Sequence, residues 1–257
     1  LKAGGIVRGC YNDGFIAVNA YNAGGIAGQA QQGRIEKCEN TGEIAAYWFN
    51  PYQKEGSQYC AGGIAGNCDR TVLENVVNSG LIRSYKQVGG IAGKMAGTAA
   101  IRASATAAVN YGLVYASAER SSQGSIAGTS TNADYAACLA DKQIQKVGTV
   151  SGGLLEGTQM LPTLSLASAQ GYPAQLLADS VWSLASGKYP TMKYAAGQQP
   201  LQSRLNSTAV IRFPANDFAQ SMVADAPLSA GVEWKVVNNF VFSIADNTLK
   251  VLPPMSG

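Results

Sequence analysis

The sequence predicts an all-β chain, built as stacked coils of β-helix-like repeats and followed by a small β-sandwich-like unit. Three observations carry this. Glycine supplies 30 of the 257 residues, well above its usual share of about 7%, and it recurs in fixed motifs. Two short elements alternate along the first half of the chain, and self-similarity at periods of tens of residues marks coil-stacking architectures. Beyond residue 197 glycine becomes scarce, and alternating β-branched and aromatic runs replace it.

The first element reads Ala3-Gly4-Gly5-Ile6-Val7-Arg8-Gly9, then Ala-Gly-Gly-Ile-Ala-Gly at 23–28 and again at 61–66. It returns as Val88-Gly89-Gly90-Ile91-Ala92-Gly93 and, worn, as Gln123-Gly124-Ser125-Ile126-Ala127-Gly128. The second element reads Cys10-Tyr11-Asn12-Asp13-Gly14-Phe15-Ile16, Cys38-Glu39-Asn40-Thr41-Gly42-Glu43-Ile44, Val76-Val77-Asn78-Ser79-Gly80-Leu81-Ile82 and Ala108-Val109-Asn110-Tyr111-Gly112-Leu113-Val114, with a degenerate copy opening at Cys138. From the first to the second element the distance is 14 positions in three copies (24 to 38, 62 to 76, 124 to 138) and 19 from Gly89 to Ala108, which predicts a local insertion. The return distance is looser: 8 from Ile16 to Gly24, 18 from Ile44 to Gly62, 7 from Ile82 to Gly89, 10 from Val114 to Gly124. A fixed half and a variable half predict a packed scaffold with loops of free length on one side.

Each element suits a short strand beside a tight turn. In Asn-x-Gly, the glycines Gly14, Gly42, Gly80 and Gly112 are free to take positive φ, and the asparagine can bond nearby backbone. Stacking places Asn12, Asn40, Asn78 and Asn110 in register as an asparagine ladder. The flanking apolar residues, Cys10, Cys38 and Val76 on one side and Ile16, Ile44, Ile82 and Val114 on the other, line a narrow interior. Alternation such as Ile64 inward and Ala65 outward favours strand over helix, and helix is expected only weakly near 174–179.

These two elements, recurring in order over roughly residues 1–150, resemble the GLUG repeat family. Such repeats occur in large bacterial surface proteins, including adhesins and the non-catalytic regions of IgA-specific metalloproteases. The resemblance implies a right-handed β-solenoid that is secreted or displayed on a cell surface. The zinc-protease motif of the IgA peptidases is absent, so their activity does not carry over. Residues 180–192, with Trp182, Tyr189 and Pro190, are similar to the stretch that closes such arrays, and 151–197 is therefore expected to cap the open strand edge. In 198–257, the runs Val210–Phe213, Val232–Val236, Phe240–Ile244 and Leu249–Leu252 read as strands. They resemble a bacterial immunoglobulin-like domain, here shorter than the usual hundred or so residues.

Composition narrows the chemistry. There is no histidine, which removes Ser-His-Asp and Cys-His mechanisms, HExxH proteases and histidine-ligated metals. A net charge of +3, from 19 bases and 16 acids with no basic block, argues against nucleic acid, and no apolar run is long enough to span a membrane. The start at Leu1-Lys2 reads as that of a trimmed or mature fragment, any anchor lying outside this chain. The five cysteines form no CxxC pair, so no metal and no cofactor is expected. A Cys60–Cys68 disulfide is one option, and the remaining thiols read as small buried hydrophobes. Glu36, Glu39 and Glu43, interleaved with Arg34 and Lys37, read as a solvated charged face, and Asp13 as a turn residue. No catalytic residue is assigned.

The candidate ligand site is the long connection between Ile44 and Gly62, which carries Tyr47, Trp48, Phe49, Tyr52 and Tyr59 in a chain with only 8% aromatics. Exposed Trp and Tyr suit sugar faces and protein partners, although the plainer reading is that the insertion folds back to cover the thin solenoid flank. Tyr85, Lys86 and Tyr115 lie in corresponding shorter loops. The expected function is non-enzymatic: an extracellular or cell-surface protein adhering to a host extracellular protein or a surface glycan. A polysaccharide-processing enzyme on the same scaffold would need converging carboxylates, and a purely structural stalk would need no patch at all.

Overall fold

The computed structural model describes residues 1–19, 21–47, 59–117, 121–145, 147–178 and 180–193, with strand residues 226–227, 242–245 and 248–251. The chain divides into two compact units, Leu1–Ala195 and Ala196–Gly257.

The first unit is all-β with parallel sheets, in a β-helix-like arrangement. Its first coil holds β1 (Ile6–Arg8), β2 (Tyr11–Asn12), β3 (Ile16–Asn19), β4 (Ala23–Gly24) and β5 (Ala27–Gln31). The second holds β6 (Arg34–Asn40), β7 (Ile44–Tyr47), β8 (Cys60–Gly62) and β9 (Ala65–Asp69). The third holds β10 (Val72–Asn78), β11 (Ile82–Ser84), β12 (Gln87–Gly89) and β13 (Ala92–Ala96). The fourth holds β14 (Ala103–Asn110), β15 (Val114–Ala116), β16 (Ser122–Gly124) and β17 (Ala127–Thr131). Next come β18 (Ala133–Ala136), β19 (Cys138–Asp141), β20 (Thr158–Leu161), helices α1 (Thr163–Ala167) and α2 (Ala174–Ala178), β21 (Trp182–Ser183) and β22 (Thr191–Met192). Equivalent strands pair to give an eight-stranded first sheet (β1/β2-β6-β10-β14-β18/β19-β20) and three four-stranded ones: a second (β3-β7-β11-β15), a third (β4-β8-β12-β16) and a fourth (β5-β9-β13-β17).

Register explains the spacing. Asn40 pairs with Asn78 and Asn78 with Asn110, as Cys38 does with Val76 and Val76 with Ala108. The extra five positions in one copy are also located. Asp69 pairs with Ala96 and Val72 with Ser104, so residues 97–102 stand where Arg70 alone stands one coil earlier. They form a turn in which Thr98 N donates to Ile101 O at 2.8 Å.

Two lobes make the interior. The larger buries Ile64, Ile91 and Ile126 with Ile35, Leu73, Cys38, Val76 and Met95, and the smaller buries Ile44, Ile82 and Val114 with Ala61 and Val88. Ala65 was expected to face outward but is 0% exposed, like Ile64. The Gly-Gly-Ile-Ala-Gly element is an arch joining the third and fourth sheets, and Ala65 packs into the larger lobe.

The opening Ala3–Gly9 segment is not a copy of that arch. Ile6, Val7 and Arg8 pair with Arg34, Ile35 and Glu36 in the first sheet, one corner further along the coil than Gly24-Gly25. Its glycines answer a different demand. Every long strand of the first sheet bends through a left-handed residue, Lys37 (φ 54), Asn75 (φ 50), Ala107 (φ 51) and Ala137 (φ 53), and Gly9 (φ 64) is the first of this column. Left-handed φ is a steric cost for residues with a Cβ, of about 1–2 kcal/mol, that Gly9 avoids.

Within the segment expected to cap the array, β20 pairs with β19 at the end of the first sheet, and Leu155 and Met160 pack against the larger lobe. Residues 163–192 then run back across the outer face of the first sheet, where Leu166, Tyr172, Leu176, Trp182 and Met192 pack on Val77, Ala107, Val109 and Leu139. Trp182 is 2% exposed, and its Nε1 donates to Asn75 Oδ1 at 3.1 Å. Tyr189 stacks on Tyr111 with ring centroids 4.3 Å apart and donates to Asp141 Oδ2 at 2.6 Å. The physical reason is in the strands: their second halves carry outward Val77, Val109 and Leu139, an apolar strip that water does not solvate well. Helix α1 was not foreseen; with α2, it supplies the leucines that cover this strip.

In the second unit, β23 (Ala226–Pro227), β24 (Phe242–Ala245) and β25 (Thr248–Val251) form an antiparallel sheet in which β25 pairs with both others. The expected strands Val210–Phe213 and Val232–Val236 lie outside the described residues.

Candidate functional site

The most ordered polar constellation is the asparagine ladder. Asn12 Nδ2 donates to Asn40 Oδ1 (2.7 Å), Asn40 to Asn78 (2.7 Å) and Asn78 to Asn110 (2.8 Å). The same Nδ2 atoms donate to the carbonyls of Gly14, Gly42, Gly80 and Gly112 at 2.9–3.3 Å, and the amides of Gly14, Gly80 and Gly112 donate back to Oδ1. Each asparagine thus closes its own turn and ties it to the next coil. Asn40, Asn78 and Asn110 are 0% exposed, whereas Asn12 ends the ladder at a partly buried position. A buried amide with all its bonds made is a structural device.

The ladder also explains why the two sequence elements travel together. A Cβ on Gly63 would lie 2.3 Å from Asn78 Cγ and 2.4 Å from Gly90 O, and Gly25 and Gly90 face Asn40 and Asn110 in the same way. The arch glycines make room for the asparagines. In the fifth coil Ala140 takes the ladder position, pairing with Asn110. The arch there carries Ser125, whose Oγ donates to Gly148 O at 3.1 Å.

Charge is gathered on the other half of the first sheet's outer face. Glu36 and Glu74 are neighbours in register, with Arg8 beside Glu36. Arg34 donates to both carboxylates, at 2.6 Å to Glu36, and Arg8 also donates to Glu36. The hydrogen bond from Arg34 holds the Glu36 carboxyl below the usual carboxylate range, burial opposing it and Arg8 assisting. Glu36 is thus held ionised by its arginines, the opposite of the raised pKa of a general acid. Arg83 likewise pairs with Glu43 and Arg102 with Asp134. Glu39, grouped with these by sequence, is instead 1% exposed beneath the flank segment and accepts from Met192 N at 3.4 Å. Among the described residues no cluster of His, Cys, Asp or Glu is fit to hold a metal ion, and no helix is long and apolar enough to cross a membrane.

Apart from residues 97–102, the connections that vary in length from coil to coil leave from one corner, between the second and third sheets. Residues 20–22, 48–59, 85–86 and 117–121 join strands that are themselves in register from coil to coil. Tyr21 (66% exposed) and Tyr115 (43%) lie at this corner. Of the expected aromatic set, Tyr47 ends β7, while Trp48, Phe49 and Tyr52 lie outside the described residues. Tyr59 does not belong to an exposed patch: it is 2% exposed. Its carbonyl accepts from Ser84 Oγ at 2.8 Å and from Gln87 N at 2.9 Å, which draws it in against the edge of the Tyr85 ring.

All five cysteines are free, so the Cys60–Cys68 bridge is not formed. Cys60 Sγ donates to Gln87 Oε1 at 2.9 Å instead. Burial pushes the thiols of Cys38, Cys60 and Cys138 up to about 11 and that of Cys68 up to about 12. Cys10, expected inside, is exposed on the first coil.

Residues 19–45 match the family model of the GLUG motif. Its fold is similar to the crystal structure of a Bacteroides ovatus protein named as a candidate immunoglobulin A1 protease. The TM-score is 0.55 at 18% identity, covering 76% of this chain and 61% of that one. This chain therefore spans less than two thirds of that neighbour's length. No curated protein matches the sequence.

Proposed function

We propose that this GLUG-repeat chain is a non-enzymatic adhesion module, extracellular or held at a cell surface, whose coils form a right-handed β-solenoid and whose second unit is immunoglobulin-like. One observation carries the reading: connections running from two residues to twelve leave from a single corner of a scaffold whose ladder asparagines and Glu36 are engaged in holding it together. A rigid frame presenting variable loops suits recognition. The aromatic content of those loops suits a glycan or the surface of a host extracellular protein. The protease named for the structural neighbour is not carried over, because this sequence holds no histidine and no HExxH motif.

A glycan and host-matrix binding array with the full chain and its Trp48→Ala variant tests the proposal. Binding that falls tenfold or more on that change supports it, whereas binding unchanged by Trp48→Ala moves the site away from this corner. Turnover of a polysaccharide would replace adhesion with enzymology, and the absence of any binding would favour a stalk.

A further inference from the structure

We propose that Cys10 and Cys38 are a thiol pair that closes, under oxidation by a small-molecule disulfide, into a cross-link stapling the first coil to the second. Tyr11 pairs with Glu39, and Glu39 N donates to Cys10 O at 3.0 Å. Cys10, between β1 and β2, is therefore the in-register neighbour of Cys38 in β6, and the usual spacing of neighbouring strands, roughly 4.8 Å, lies within the span of about 4.4–6.8 Å that a disulfide's Cα atoms require. Cys10 N donates to Cys38 Sγ at 3.4 Å. Their thiols also share an orientation, Cys10 Sγ toward Arg8 O (3.6 Å) and Cys38 Sγ toward Glu36 O (3.2 Å).

None of the other cysteines has such a neighbour in register. Cys68 stands between Ala30 and Met95, Cys60 pairs with Gln87 one coil on, and Cys138 pairs with Thr158. Cys10 also has room to move, lying between β1 and β2, next to Gly9, with a paired strand on one side only.

Exposure assigns the order of events. The accessible Cys10 thiolate attacks oxidised glutathione, forming a Cys10–glutathione mixed disulfide and releasing one glutathione thiolate. The Cys38 thiolate then attacks Cys10 Sγ, forming the Cys10–Cys38 bond and releasing the second. Two protein thiols are oxidised by two electrons, one oxidised glutathione becomes two reduced molecules, and the two protons pass to the departing thiolates. Burial, which holds the Cys38 thiol at about 11, makes the second step slow near neutrality and about tenfold faster per pH unit as pH rises toward that value.

The full chain is treated with oxidised glutathione or with a phosphine reductant, quenched in acid, unfolded, alkylated with N-ethylmaleimide and mapped by mass spectrometry. Five adducts after reduction and three after oxidation, with a Cys10–Cys38 linked peptide, are expected. Cys10→Ala, at an exposed position, is expected to keep four adducts under both conditions, and Cys38→Ser to stop at the glutathione adduct on Cys10. Five adducts in the oxidised wild type, a Cys10 adduct that never resolves as pH is raised to 9, or a Cys10–Cys10 dimer would each overturn the proposal.

Discussion

Each coil is made of two spans under different physical demands. From the arch glycine to the ladder asparagine (Gly24 to Asn40, Gly62 to Asn78), every second or third residue touches the interior or the next coil. From the second sheet to the third, the chain only has to bridge a corner. The first span keeps its length except where residues 97–102 stand in for Arg70, and the second varies from two residues to twelve (85–86 against 48–59). The difference teaches where length is costly: insertion in the first span moves Ile64 or Asn78 out of register, while insertion in the second lengthens a surface loop.

The closed span has a second layer on its outside, and the largest expected effect lies there. Trp182→Ala removes a fully packed indole and its bond to Asn75, so a loss of about 3–5 kcal/mol is expected in urea unfolding. A loss below about 1 kcal/mol would mean that residues 163–192 sit on the first sheet without stabilising it.

Asn78→Ala comes next. It deletes donations to Asn110 Oδ1 and Gly80 O, and leaves Gly80 N and one of the two Asn40 Nδ2 protons without an acceptor, a cost of about 2–3 kcal/mol if each orphan is only partly rehydrated. Asn12→Ala, at the partly buried end, is expected to cost less than about 1 kcal/mol. Equal losses at the two positions would show that the ladder acts by turn formation alone, without burial.

A smaller effect is expected from acid. The folded-state pKa of Glu36 is depressed, chiefly by Arg34. Its contribution is therefore present above the unfolded carboxylate's pKa and lost as pH falls from there through the lower folded value. Half-exposed arginines limit the contribution to about 1 kcal/mol or less. Comparing urea midpoints of the wild type and Glu36→Gln at pH 7 and pH 3 checks the sign: the gap should shrink at pH 3, and a gap that widens would contradict it.

Much of this was legible from spacing, because a stack of in-register coils writes its period into the chain. The 14-residue distance runs along the closed span from Gly24 to Cys38 and from Gly62 to Val76. The Asn-x-Gly column emerged as an asparagine ladder, but Gly42, Gly80 and Gly112 are not at positive φ; they are small because a Cβ there would meet backbone of the neighbouring coil. What misled was composition without spacing. Ala3–Gly9 looks like an arch, yet Gly4 precedes Cys10 by 6 positions where the arches precede their partners by 14, and its glycines serve a bend that Lys37, Asn75, Ala107 and Ala137 make at a steric cost. Trp182 and Tyr189 were readable as buried anchors but not as a flank cover, since no local pattern tells which outer face receives them. The apolar run of Val77, Val109 and Leu139, facing out in three successive coils, was the available sign. Tyr59 was misplaced because it belongs by sequence to an aromatic loop and by hydrogen bonding to the strand that follows.

The smallest expected effect tests the open span directly. Residues 117–121 join β15 to β16 with five residues, and inserting five more of Gly-Ser composition doubles the connection. Chain-closure entropy grows only with the logarithm of loop length, so the insertion should cost about 0.6 kcal/mol, a fraction of the Asn78→Ala loss, with the urea m-value unchanged. Because β15 and β16 are held by pairing to β11 and β12, they need no help from the loop to stay in register. A cost approaching that of Asn78→Ala would mean that this corner is packed like the arches, and that loop length there is set by the scaffold and not left free for recognition.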